Sequence, residues 1–118
     1  MVDNLRLLFG TPILQTSLAV QHRILEFVKS QKFEHHGNGY FTYEYILESP
    51  EMQSVKNYIT QKVKEYLYGD CGISEQIIPE LVTSWVNLHK KGDWSHQHSH
   101  YNSVVSGVWY LSTTPESG

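Results

Sequence analysis

The apolar residues of this chain change their spacing midway, dividing it into a helical first part and an extended second part. Over residues 20–29, Val20, Ile24, Phe27 and Val28 form a stripe with Arg23, Glu26 and Lys29 opposite, the signature of an amphipathic helix. Met52, Val55, Ile59, Val63, Tyr66 and Leu67 repeat that spacing and predict a second helix. Ser49-Pro50 suits its start, with Ser49 as cap and Pro50 in the first turn, where a missing N–H costs nothing. Gly69 is the expected stop. Residues 5–8 and then Phe9-Gly10-Thr11-Pro12 lead into an extended entry at 13–18. Between the helices, His35-His36-Gly37-Asn38-Gly39 is a turn cluster. Phe41, Tyr43 and Tyr45 then alternate with Thr42 and Glu44, as in a short strand or extended loop.

After Gly72 the period is two. Residues 81–89 place Thr83, Trp85, Asn87 and His89 on one face and Val82, Ser84, Val86 and Leu88 on the other. Lys90-Lys91-Gly92-Asp93 predicts a turn. Residues 103–112 predict another strand, with Val104, Ser106, Val108 and Tyr110 alternating against Val105, Gly107, Trp109 and Leu111. Helices followed by strands predict an α+β fold in one domain. Residues 1–72 form its helical buttress and residues 73–118 its sheet.

Composition narrows the class. With 118 residues, 40% hydrophobic and 18% charged, the chain reads as one soluble globular domain. A net charge of −3 gives no electrostatic footprint for nucleic acid. No apolar run approaches the ~20 residues of a membrane span, and the first residues lack the order of a secretion signal. Cys71 stands alone and forms no internal disulfide, so a reducing, cytoplasmic setting is expected. Residues 113–118, Thr-Thr-Pro-Glu-Ser-Gly, are turn-like and follow the most strand-like run, and turns of this composition normally lead onward. A sheet ending there would carry an unprotected edge. The expectation is that further residues or a second copy, in a homo-oligomer, complete it.

The candidate chemistry lies in Trp94-Ser95-His96-Gln97-His98-Ser99-His100-Tyr101. Alternate positions of an extended segment face the same way, about 6.6 Å apart per step. Two imidazoles at that spacing can converge on one metal ion. All three cannot do so in a straight strand, where His96 and His100 would start about 13 Å apart. The competing reading is a solvated polar loop. His22, His35 and His36 read as surface and turn residues.

Trp85-Val86-Asn87, Gly92-Asp93 and then His98-Ser99-His100-Tyr101-Asn102-Ser103-Val104-Val105-Ser106-Gly107-Val108-Trp109-Tyr110-Leu111 resemble a family of 2-oxoglutarate/Fe(II)-dependent oxygenases. Leu8-Phe9-Gly10-Thr11-Pro12-Ile13 resembles that family's N-terminal Leu-Phe-x-x-Pro signature. The resemblance implies a double-stranded β-helix, or jelly roll, whose first strands lie here with helices buttressing one sheet. It implies His98 and His100 as metal ligands, with His96 a neighbour. Tyr110 would contact the small-molecule co-substrate, and Asn87 and Trp85 would line the same cavity. Fe(II) and 2-oxoglutarate are the implied cofactors. The wider superfamily has His-x-Asp where this chain has His98-Ser99-His100, so a carboxylate is replaced by imidazole. No histidine follows His100 and no Arg or Lys follows Lys91. The family's third ligand and its basic residue for the distal carboxylate therefore have no counterpart here. A zinc protein, which His-x-His also suits, and a non-catalytic interaction scaffold are the alternatives. Nothing in the sequence selects a substrate.

Overall fold

The computed structural model describes residues 9–115. The N-terminal signature therefore lies partly outside the described residues, as do Glu116, Ser117 and Gly118. Helix α1 spans His22–Lys29 and α2 spans Gln53–Lys64. Strands β1, Glu34–His36, and β2, Gly39–Phe41, form an antiparallel hairpin. Its turn is closed at Gly37, whose φ of 58° suits a residue without Cβ. Strand β3, Asn87–Leu88, pairs antiparallel with β2, with Tyr40 opposite Leu88 and Phe41 opposite Asn87.

The first helical stripe behaves as its spacing predicts. Ile24 and Val28 are buried, while Arg23, Glu26 and Lys29 face solvent. Around them Ile46, Leu47, Met52 and Val55 complete the core, with Leu18, Phe27, Phe33, Ile59, Val86, Trp109 and Leu111 packed against it. The Arg23 guanidinium donates to the Ser54 hydroxyl and the Glu51 carbonyl oxygen, tying α1 to the start of α2.

The second helix departs from expectation at both ends. Pro50–Met52 is a 3₁₀ turn ahead of α2, and Ser49 makes no side-chain cap. Its hydroxyl is bonded instead to that of Tyr43. Gly69 does not stop the helix: residues Glu65–Asp70 continue as a π-turn. The reversal comes at Gly72, where φ is 67°. The longer loop of the π-turn lets the buried stripe run on to Leu67, which is 5% exposed.

The β half departs further. Of residues 81–89, only Asn87–Leu88 are strand, with an isolated bridge from Ser84 to Tyr45. Between them the pairing passes through a side chain. Thr42 N–H donates to the Val86 carbonyl, while Val86 N–H donates to Thr42 Oγ1 at 2.9 Å. Thr42 is 6% exposed, so the polar position of the Phe41–Tyr45 alternation is the one that turns inward. Residues 103–112, expected as a strand, form none among the described residues. No backbone group from 104 to 112 pairs with another described backbone group. The burial nevertheless alternates: Trp109 and Leu111 rest on the core, while Val108 and Tyr110 are 78% and 74% exposed. The Trp109 indole N–H anchors this segment by donating to the Leu18 carbonyl at 3.2 Å.

The observed content is α+β, two helices against a three-stranded antiparallel sheet. Its accessible surface is 10092 Å², against about 6,600 Å² for a compact monomer of 13.7 kDa. Exposed stretches such as residues 9–17 and 94–104 contribute to the surplus. No helix among the described residues is long and apolar enough to cross a membrane.

The Thr42–Val86 exchange yields a direct expectation. Thr42→Val keeps the shape but leaves the Val86 N–H without its acceptor, and should cost about 1–3 kcal/mol in urea unfolding. Thr42→Ser, which keeps the oxygen, should recover most of that loss.

Candidate metal centre

Two turns deliver the histidine segment to one side of the sheet. Residues 90–93 reverse the chain, with Gly92 at φ 89° and Asp93 N–H donating to the Lys90 carbonyl. The Asp93 carboxylate accepts the Lys90 N–H at 2.8 Å, which fixes that turn. The Trp94 N–H then donates to the Asn38 carbonyl at 3.2 Å, docking the segment onto the β1–β2 turn. A second reversal, at residues 101–102, has Asn102 in the left-handed region at φ 61°.

Between these turns the rings of His98 and His100 have centroids 4.9 Å apart and planes inclined at 81°. A metal at about 2.1 Å from each nitrogen would put rings in neighbouring coordination positions with centres about 4.5–5.2 Å apart. The observed separation lies within that range. His98 Nδ1 lies 2.7 Å from the His96 carbonyl oxygen. A carbonyl can only accept, so Nδ1 carries the proton, and in the neutral ring Nε2 holds the lone pair. This is the arrangement by which ligand histidines are oriented in metal sites. His96 thus contributes its backbone, while its ring packs edge-on against Trp94 with centroids 4.2 Å apart.

Trp85 joins the pair from the sheet, its ring 5.9 Å from that of His100. The alternation explains how. Ser84 and Val86 face the helices, with Ser84 Oγ accepting the Leu47 N–H and Val86 packed on the core. Trp85 and Asn87 therefore project to the other side. By the same logic Val108 and Tyr110 project away from the helices, because Trp109 and Leu111 rest on them. The structure thus brings Trp85, His98 and His100 together. Asn87 and Tyr110 are exposed, and among the described residues no hydrogen bond or ring pair links either to the histidines.

Among the described residues no group of three or more His, Cys, Asp or Glu side chains is arranged to hold an ion. The two rings are close enough to be candidates for neighbouring positions around one ion, and no third described donor stands with them. Cys71 lies elsewhere, beside Tyr66 at the end of the π-turn, where the thiol pushes the Tyr66 hydroxyl pKa up.

A groove adjoins the pair through Trp85, lined also by Gln31, Lys32, Glu34, Phe41, Tyr43 and Glu44. Lys32 bonds Glu34 at 3.2 Å and His36 approaches it at 3.5 Å. The hydrogen bond from Lys32 and then its charge hold the Glu34 carboxyl below its usual range, with His36 adding to both. No local pattern in the sequence relates these residues to Trp85: Phe41, Tyr43 and Glu44 fall in the expected short strand, and Gln31, Lys32 and Glu34 in no predicted element.

Comparison with protein-family models, with curated proteins and with solved structures finds no match to this chain.

Two measurements check the site. Titration with Zn²⁺ or anaerobic Fe²⁺ should broaden or shift the His98 and His100 ring signals together, and His98→Ala or His100→Ala should weaken binding at least tenfold, while His96→Ala should change it far less. The Glu34 carboxyl should titrate below the usual glutamate range, and Lys32→Met should return it toward that range. Because the folded pKa is the lower one, Glu34's contribution to stability is complete above the unfolded value and is lost as pH falls through the folded one.

Proposed function

We propose that this chain carries the metal-binding part of a 2-oxoglutarate- and Fe(II)-dependent dioxygenase of the hydroxylase type. In this reading residues 73–118 supply the first strands of a double-stranded β-helix, and residues 1–72 buttress its outer face. The observation that supports it is the His98–His100 pair, close enough for one ion and set beside Trp85 on the face away from the helices. The family resemblance of residues 85–111 supplies the rest.

Bound iron with 2-oxoglutarate would supply the oxygen activation needed to hydroxylate a C–H bond. The chain's own residues bind, orient and shield. His98 and His100 hold the ion through ring nitrogens, with His98 oriented by its Nδ1 bond to the His96 carbonyl. As neutral imidazoles, His98 and His100 would leave the charge of a bound divalent ion uncompensated toward other ligands. That favours a dianionic co-substrate such as 2-oxoglutarate. Tyr110 offers a phenolic O–H to a co-substrate carboxylate, and Asn87 an amide from the neighbouring strand. Trp85 excludes water from the His100 side.

A third protein donor and a cationic group for the distal carboxylate fall to polypeptide seated on the unpaired 104–112 edge. Such a layer would cover Val104, Val108 and Tyr110, all strongly exposed. It would also raise the strength of each polar contact by removing water.

The test is anaerobic addition of Fe²⁺ and 2-oxoglutarate, followed by admission of oxygen. A metal-to-ligand charge-transfer band that needs both components, and is lost in His98→Ala and His100→Ala, is expected. Oxygen-dependent release of succinate should accompany it. Zn²⁺ binding by the same pair with no co-substrate band would instead assign a zinc protein. A chain indifferent to every metal would leave only a scaffold.

A further inference from the structure

The groove beside the histidine pair carries a charge pattern that the metal chemistry does not use. Three aromatic rings, Phe41, Tyr43 and Trp85, form its walls. Tyr43 is held in place by the bond between its hydroxyl and that of Ser49, and the Phe41 ring packs 6.4 Å from that of His36. Of the titratable side chains, Lys32 and Glu34 neutralise one another at 3.2 Å, and the His36 ring stands 3.5 Å from the same Glu34 carboxylate. The Glu44 carboxylate has no such counterion: among the described residues no cation lies within ion-pair distance of it. Only its main-chain carbonyl is engaged, accepting from Ser84 N–H and from Thr83 Oγ1. With His36 uncharged, the local balance is one unmatched negative charge among aromatic side chains, the complement of a cation. Ring faces attract cations electrostatically, Trp most strongly, and a fixed carboxylate adds to that attraction.

We propose that this groove binds the cationic end of a ligand, an ammonium or guanidinium group, between Glu44 and the faces of Trp85, Tyr43 and Phe41. Trp85 is shared between groove and metal pair, 5.9 Å ring to ring from His100. A ligand anchored here by its charge extends its alkyl chain past Trp85 toward His98 and His100. Resting on the oxygenase reading, this makes the substrate a compound or peptide side chain bearing a basic nitrogen, with the reactive C–H a few bonds from the charge. The cation site itself does not depend on the metal.

The probes are Nα-acetyl-lysine amide and Nα-acetyl-arginine amide, with the neutral Nε-acetylated lysine compound as control. The readout is the indole N–H signal of Trp85 in ¹H–¹⁵N spectra of the full chain, assigned by its loss in Trp85→Phe. The charged probes should shift that signal saturably and the neutral one should not. Glu44→Gln should weaken the charged probes about two- to fivefold, the range of a single exposed charge contact. Lys32→Met should tighten them, because it removes a competing cation and frees Glu34. Backbone spectra that match the parent chain away from residues 32 and 44 establish that both variants fold. The proposal is overturned if charged and neutral probes behave alike, or if neither variant changes affinity in the stated direction. Repeating the titration in His98→Ala/His100→Ala separates the two ideas. Binding retained there supports the cation groove whatever the metal chemistry proves to be, and binding lost there overturns its independence from the pair.

Discussion

The pairing of residues 84–88 with 40–46 is the constraint on which the remainder of the structure rests. At its centre Thr42 both donates its N–H to Val86 and accepts from it through Oγ1. This exchange sets which way every neighbouring side chain points. With Val86 turned to the helices, Trp85 must face away, and there it meets His100. Thr42, Tyr43 and Glu44 all line the groove on this segment. One buried hydroxyl therefore registers the helical core, the histidine pair and the groove against one another. A polar residue at such a point is stable only because both of its hydrogen-bonding capacities are used.

The same register explains the open face. The core lies between the helices and the inner sides of residues 84–88 and 105–111, so the outer sides have no cover. Val104, Val108 and Tyr110 stand in solvent, and the backbone of 104–112 offers unmatched donors and acceptors. An edge of this kind is a template for another strand. Charges and imidazoles on an open face act in high dielectric, where each is weak. In the proposed reading the candidate centre would be one wall of a site. Its chemistry becomes strong only when a second layer of polypeptide excludes water from the histidines and the groove.

Much of the fold was legible in the sequence where local periodicity and burial coincide. The stripe Ile24–Phe27–Val28 became α1, Val55 lies buried in the first turn of α2, and within the expected turn cluster the reversal falls at Gly37-Asn38, with His35 and His36 in β1 and Gly39 in β2. The proximity of His98 and His100 was also legible, because two residues on one side of a single intervening serine are neighbours by chain geometry alone. The Trp85–His100 contact was not, nor the assembly of Lys32, Glu34, Glu44 and Trp85 around one groove. Those depend on which segment lies beside which. The strand expected at 103–112 shows the limit clearly. Its alternation is real, with Trp109 and Leu111 inward and Val108 and Tyr110 outward, yet no described backbone pairs with it.

By itself the sequence determined which apolar residues of the first helix turn inward, the chain reversals at Gly37 and Gly92, and that two imidazoles stand side by side. Side-chain polarity and chain stereochemistry are local properties, and they act at every position whatever lies nearby. Tertiary structure alone decided that Thr42 is buried, that Gly72 rather than Gly69 reverses the chain, and that Trp85 links the histidines to an acidic aromatic groove. Hydrogen-bond pairing is a property of two segments at once. No pattern within either segment specifies its partner.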